Sequence, residues 1–164
     1  MTGQMLDAVL AIERHGQLSP WSRLSFEESL TAGDFCRCLI EGEQIAGFLV
    51  ARVVVDELHL LNIGVAARFR GRGLAHDLLH DFFNHAEKRH IDKLFLEVRE
   101  SNQIAQRLYR KWGFDVLAKR RAYYASTNHK PREDALIMYR EIEWDGPPNN
   151  LPNGLPSLRL LKNQ

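Results

Sequence analysis

Arg68-Phe69-Arg70-Gly71-Arg72-Gly73-Leu74-Ala75 joins an apolar strand to a long amphipathic helix, and the architecture of the chain turns on what this segment is built to hold. Two glycines let the backbone approach a ligand closely and direct several N–H groups inward, and the helix that starts near Gly73 adds the positive end of its dipole. The segment reads as an anion cradle. A dinucleotide fingerprint would need a third glycine where His76 stands, and an acidic residue at the end of the next strand. A mononucleotide loop would need Gly-Lys-Ser/Thr, which is missing here. A strand-to-helix turn made for steric reasons carries the same glycines, so the flanking elements must decide.

Outward from this turn, Leu74, Ala75, Leu78, Leu79, Phe82, Phe83 and Ala86 recur at helical spacing, predicting a helix over residues 73–89 that lays one stripe on a sheet. Upstream, residues 5–15 and 22–32 read as helices, the first with Met5, Leu6, Val9 and Ile12 on one stripe. Residues 35–40, 45–55 and 58–65 then read as a meander of three strands. Downstream come a strand over 93–98, a helix over 102–112 closed by Gly113, and strands over 115–123 and 135–142. The expected fold is α/β of the α+β kind, a mixed central sheet flanked by about four helices. Residues 1–143 read as one domain. Past Trp144, four prolines among Asn and Gly predict an extended tail over 144–164.

Composition narrows the partners. Lys plus Arg (22) against Asp plus Glu (21) leaves a net charge of +1, so no global field draws nucleic acid or an anionic membrane. Arg68, Arg70 and Arg72 form a local cluster suited to a polyphosphate. The longest apolar run, residues 45–51, is far shorter than a membrane span, and no signal segment is present, which predicts a cytoplasmic protein. Cys36 and Cys38 share one strand face and read as small thiols rather than a disulfide. His76 and His80, four apart, lie opposite the apolar helix stripe and read as a solvated face.

Glu97 interrupts the apolar strand Leu94-Phe95-Leu96-Glu97-Val98, and a carboxylate there needs a reason. Arg99, two residues on, offers an ion pair on the same face, while desolvation suits such a group to general-base work; both readings stand at this point. Tyr109 sits beside the stripe Ile104, Ala105, Leu108, Trp112, as a core-edge aromatic or as a phenol able to give a proton to a leaving thiolate. Asn102 is a natural N-cap.

Taken in order, strand, Arg70-x-x-Gly73-x-Ala75 loop, helix, strand with Glu97, then Ser101-Asn102 and Leu108-Tyr109-x-x-x-Gly113-Phe114, the chain resembles the GNAT superfamily of acetyl-CoA-dependent N-acetyltransferases over about residues 5–142. The resemblance implies a GNAT fold with splayed central parallel strands, that acetyl-CoA is the cofactor, and that Arg70, Gly71, Arg72, Gly73, Leu74, Ala75 and His76 cradle its pyrophosphate. It implies that the backbone of Ile63, Gly64 and Val65 pairs with the pantetheine arm and polarises the thioester carbonyl, and that Asn102 contacts the same arm. No metal is implied.

A narrower resemblance rests on Pro20-Trp21-Ser22, Leu96-Glu97-Val98-Arg99-x-Ser101-Asn102, Arg120-Arg121-x-Tyr123-Tyr124 and Arg132-Glu133-Asp134-Ala135-x-x-Met138, which look like RimI-type ribosomal-protein-alanine N-acetyltransferases. It implies Glu97 as base and Tyr109 as acid in a direct attack, with Tyr109 also against the cofactor. Trp21, Asn62, Tyr123 and Tyr124 then contact the acceptor. The implied partner is a protein N-terminus, that of a ribosomal protein, met by a monomer or weak dimer without nucleic-acid or membrane contact. A small-molecule or Lys side-chain acetyltransferase, and a non-catalytic acyl-CoA-binding module, are the competing readings. Two departures stand out: the strand usual before the first helix is missing or very short, which exposes a sheet edge the tail would cover, and the tail itself has no counterpart in the family pattern.

Overall fold

The computed structural model describes residues 1–124 and 132–143; the proline-rich segment 144–164, with its expected extended tail, lies outside the described residues. A 3-10 turn over Gly3–Met5 leads into α1 (Leu6–Gly16) and α2 (Arg23–Thr31), followed by β1 (Phe35–Glu41), β2 (Gln44–Val54) and β3 (Glu57–Val65). Then come α3 (Leu74–Lys88), β4 (Lys93–Arg99), α4 (Gln103–Lys111), β5 (Asp115–Tyr124) and β6 (Glu133–Glu141). Every element read from the sequence is present, with each boundary within two residues. Local chemistry explains the ends. Ser22 Oγ accepts the Ser25 N–H at 3.1 Å to start α2, and Gly113, left-handed at φ 74°, closes α4.

The six strands run in the order β1-β2-β3-β4-β6-β5. Neighbours are antiparallel except β3 and β4, which the α3 crossover makes parallel. Among the described residues β1 is the first strand and forms a sheet edge. Helices cover both faces, which is why β2 reads as a continuous apolar run: Leu49 and Ala51 pack with α3, while Phe48 and Val50 pack with α1 and α2. The α3/α4 side is filled by Leu58, Leu78, Phe82, Leu94, Trp112 and Met138, each fully buried or nearly so. Burial of a side chain of this size stabilises by about 1.5–3 kcal/mol. No helix among the described residues is long and apolar enough to cross a membrane.

One irregularity shapes the centre of the sheet. Val50 pairs with Asn62 but Ala51 pairs with Leu60, so Leu61 is an extra residue in β3. Before it, Leu58 and Leu60 face α3; after it, Ile63 and Val65 take that face and Asn62 turns toward α1. The parallel ladder to β4 ends at the same level, with Leu60 opposite Leu96 as its last pair. Beyond that point the two central strands part, giving the splay that the family resemblance implies.

Candidate active site

The gap between β3 and β4 opens into a cleft of about 530 Å³. Its walls are residues 60–65 of β3 and Glu97, Val98 and Arg99 of β4, and Arg70, Ala75, Trp21 and Tyr124 also line it. Helix α1 and the segment after it form one side, and Asn102, Ala105, Leu108 and Tyr109 of α4 form the opposite side. The structure therefore gathers Ile63, Gly64, Val65, Arg70, Ala75, Asn102, Tyr109, Glu97, Trp21, Asn62 and Tyr124 around one space.

The turn after β3 is held from below. Phe69 and Leu74 are buried against Ala46, and the Arg68 and Arg72 guanidinium groups lie over the Phe69 ring at 4.9 and 5.3 Å. Arg70 Nε donates to the Val65 carbonyl at 3.1 Å, tying the turn to the end of β3. Gly71 and Gly73 are left-handed at φ 76° and 84°, and no atom lies within 4 Å of where a Cβ would stand on either. The backbone thus faces open space at the N-terminus of α3, where first-turn N–H groups have no intrahelical acceptor. His76 is otherwise engaged: its N–H bonds the Gly73 carbonyl at 2.8 Å, and its Nδ1 accepts the Trp112 Nε1–H at 2.9 Å.

Glu97 does not pair with Arg99. It lies on the face of β4 opposite Leu96 and Val98, one third exposed, and accepts from Arg120 Nη1 at 2.6 Å. Arg99 instead binds Glu133 at 3.1 Å and Ser19 Oγ at 2.8 Å. The register explains the exchange. Arg99 and Arg120 flank Ala135 of β6 in line, and that small residue lets the Arg120 side chain reach across β6 to Glu97. Tyr109 comes to the cleft from the other face of the sheet, 5% exposed, and burial, then the neighbouring Tyr124, push its phenol well above the usual tyrosine range. It therefore stays a proton donor. Asn102 caps α4 through Oδ1, which accepts the Ala105 N–H at 3.1 Å, and the residue still lines the cleft.

Trp21 packs against Phe26, with ring centroids 5.2 Å apart. Tyr124 lies under the Arg99 guanidinium at 3.7 Å. Tyr123, nearly half exposed, stands outside the cleft wall under Arg120 at 4.4 Å. Both tyrosines reach the mouth because β5 is kinked at Ala122, left-handed at φ 51°, whose N–H is held by Asp134 Oδ1 at 2.7 Å. Glu133 accepts the Ser101 N–H at 2.7 Å. The adjacent acids at 133 and 134 thus brace the two segments that frame the mouth.

Sequence reading gave two residues no role. Arg120, the partner of Glu97, stands in the Arg120-Arg121-x-Tyr123-Tyr124 motif, but no spacing rule marks its contact because it crosses a strand. Glu13 is buried at 1% exposure in the wall of the cleft. Its signal was available, since Glu13 follows Val9 by four and Leu6 by seven and so puts a carboxylate on the apolar stripe of α1.

Comparison with known proteins agrees with this geometry. The model of the acetyltransferase (GNAT) family matches residues 6–114. The chain is 37% identical to the [ribosomal protein bS18]-alanine N-acetyltransferase of Escherichia coli K12, over 81% of this chain and 88% of that one. It is 32% identical to a Bacillus subtilis protein described as a putative enzyme of the same kind, over 84% and 89%. The crystal structure of the ribosomal-protein-S18-alanine N-acetyltransferase from Escherichia coli superposes with a TM-score of 0.81 at 35% identity, covering 92% of this chain and 95% of that one. With a splayed β3–β4 pair, a glycine turn opening α3, and this degree of identity across most of its length, the chain belongs to the GNAT family and is an acetyl-CoA-dependent N-acetyltransferase.

Proposed function

We propose that the protein acetylates the N-terminal α-amine of a protein, the N-terminal alanine of ribosomal protein bS18 being the natural acceptor, and that residues 1–143 form the catalytic unit. The observation that carries this reading is that one continuous cleft is lined by Arg70 and Ala75, by Tyr109 and Glu97, and by Trp21 and Tyr124. The names of the relatives at 32–37% identity support the acceptor.

The turn Gly71–His76 fits a pyrophosphate, because its two left-handed glycines leave clear space in front of the backbone at a helix N-terminus. Acetyl-CoA supplies the activated acetyl thioester. The Ile63–Val65 backbone, released from the β4 ladder, offers N–H groups to the acyl carbonyl. Asn102 flanks the same arm. A protein α-amine has a pKa near 7.7–8.0, so roughly a tenth is neutral at pH 7, and Glu97 removes the remaining proton through water. The amine attacks directly, and Tyr109, held protonated by its burial, returns a proton to the departing thiolate.

Mass spectrometry of peptides beginning with Ala, Ser or Met, or carrying only an internal Lys, after incubation with enzyme and acetyl-CoA tests the reading. Acetylation of the Ala peptide at its α-amine is the expected result. Modification of internal Lys alone overturns it.

A further inference from the structure

Glu13 carries more than the scaffold requires of it. Its Oε1 accepts two hydrogen bonds, from the Trp21 N–H at 2.8 Å and from Asn62 Nδ2 at 3.1 Å. These tie α1 to the segment before α2 and to β3 just past the bulge. Its Oε2, equally buried, has no hydrogen-bond partner among the described residues. No ion pair of Glu13 is formed among them either. A glutamine would make both observed contacts through its carbonyl oxygen without burying a charge, so structure alone leaves the second oxygen unexplained. Burial pushes the Glu13 carboxyl up, against the opposing effect of its two donors. The unpartnered oxygen belongs to a side chain held against Trp21 and Asn62 in the wall of the cleft that Glu97 also lines, and a cation bringing hydrogen-bond donors is the group that would satisfy it.

We infer that Glu13 Oε2 receives the ammonium group of the acceptor, a primary amine in its charged form, and positions it before Glu97 acts. This rests on the protein N-terminus reading above. An α-ammonium and a Lys ε-ammonium offer the same chemistry to a carboxylate, and the favoured source is the α-ammonium.

The test uses the whole protein with coenzyme A bound and compares two peptides that differ only at the first residue, alanyl in one and lactoyl in the other, so that a hydroxyl replaces the amine. Wild type is expected to bind the alanyl peptide about tenfold or more tightly than the lactoyl peptide, as loss of a charged hydrogen bond implies. Glu13→Gln is expected to bring that ratio near one while coenzyme A affinity and Tm hold. A wild-type ratio near one, or an unchanged ratio in Glu13→Gln, overturns the inference. Glu97→Gln gives an independent reading: it should keep the wild-type preference, and if it erases the preference the ammonium belongs to Glu97 and the inference falls. Tighter binding of a peptide offering only a Lys ε-ammonium also overturns it. If wild type does not acetylate the alanyl peptide at all, the proposed function fails; if it does and the ratio is near one, only this inference fails.

Discussion

Arg120 holds the Glu97 carboxylate from two strands away, reaching over Ala135 to make a 2.6 Å contact. The pair fixes the rotamer of the proposed base at the mouth of the cleft. Arg120→Gln is expected to lower kcat by about tenfold, the scale of a mispositioned base, with acetyl-CoA affinity and Tm unchanged. Steady-state kinetics together with a thermal melt check both halves of this expectation.

Glu97→Gln and Tyr109→Phe should each reduce kcat by about 10²–10⁴-fold, the range for loss of a positioned acid or base, while binding of coenzyme A by calorimetry stays near wild type. Because burial raises the Tyr109 phenol, it remains protonated throughout the alkaline working range. The kcat profile should therefore show no fall up to about pH 9.5, half a unit below the ordinary tyrosine value. Full turnover in both variants would remove them from the mechanism.

Gly64 is hemmed in by side chains that leave little room for a Cβ. A Cβ there would stand 2.6 Å from Phe48 Cε1 and 3.3 Å from Ile12 Cγ2, inside a packed core. Gly64→Ala should destabilise by about 1–3 kcal/mol and lower Tm by roughly 3–10 °C, seen by calorimetry, with the loss relieved by Phe48→Leu.

His85 stacks on Phe35 with ring centroids 3.8 Å apart. Burial, then Arg89, Arg37 and Lys88, lower its pKa to about 4. The unfolded chain therefore binds this proton more readily than the folded one, and stability rises with pH across the interval between the two values. Tm should fall as pH drops from about 6.5 toward about 4, and His85→Gln should flatten that slope.

Most of the fold was legible because its signals are local. The stripe from Leu74 to Ala86, the Gly113 stop and the two glycines of the turn each act within a few residues, and the elements they predict are where they should be. The site was legible only where a family pattern pointed. Glu97 and Tyr109 reach one cleft because β3 and β4 part, and that parting begins level with one extra residue at Leu61 that no alternation rule marks. The Glu97–Arg99 pair, one of the two readings left open for that carboxylate, does not form for a similar reason: adjacency on one strand lost to a partner two strands away, which only the register reveals. Glu13 was visible as a charge on an apolar stripe, but its oxygen-by-oxygen partners were not.

The parting of β3 from β4 makes the sheet perforate. Glu13, Asn62 and Glu97 belong to the face under α1, whereas Tyr109 and Asn102 come from the helix packed on the reverse face. Under the proposed function, donor and acceptor meet nose to nose through this window in the sheet, each arriving by its own side. Neither has to vacate the cleft for the other, so initial-rate plots for the two substrates should converge on a point rather than run parallel.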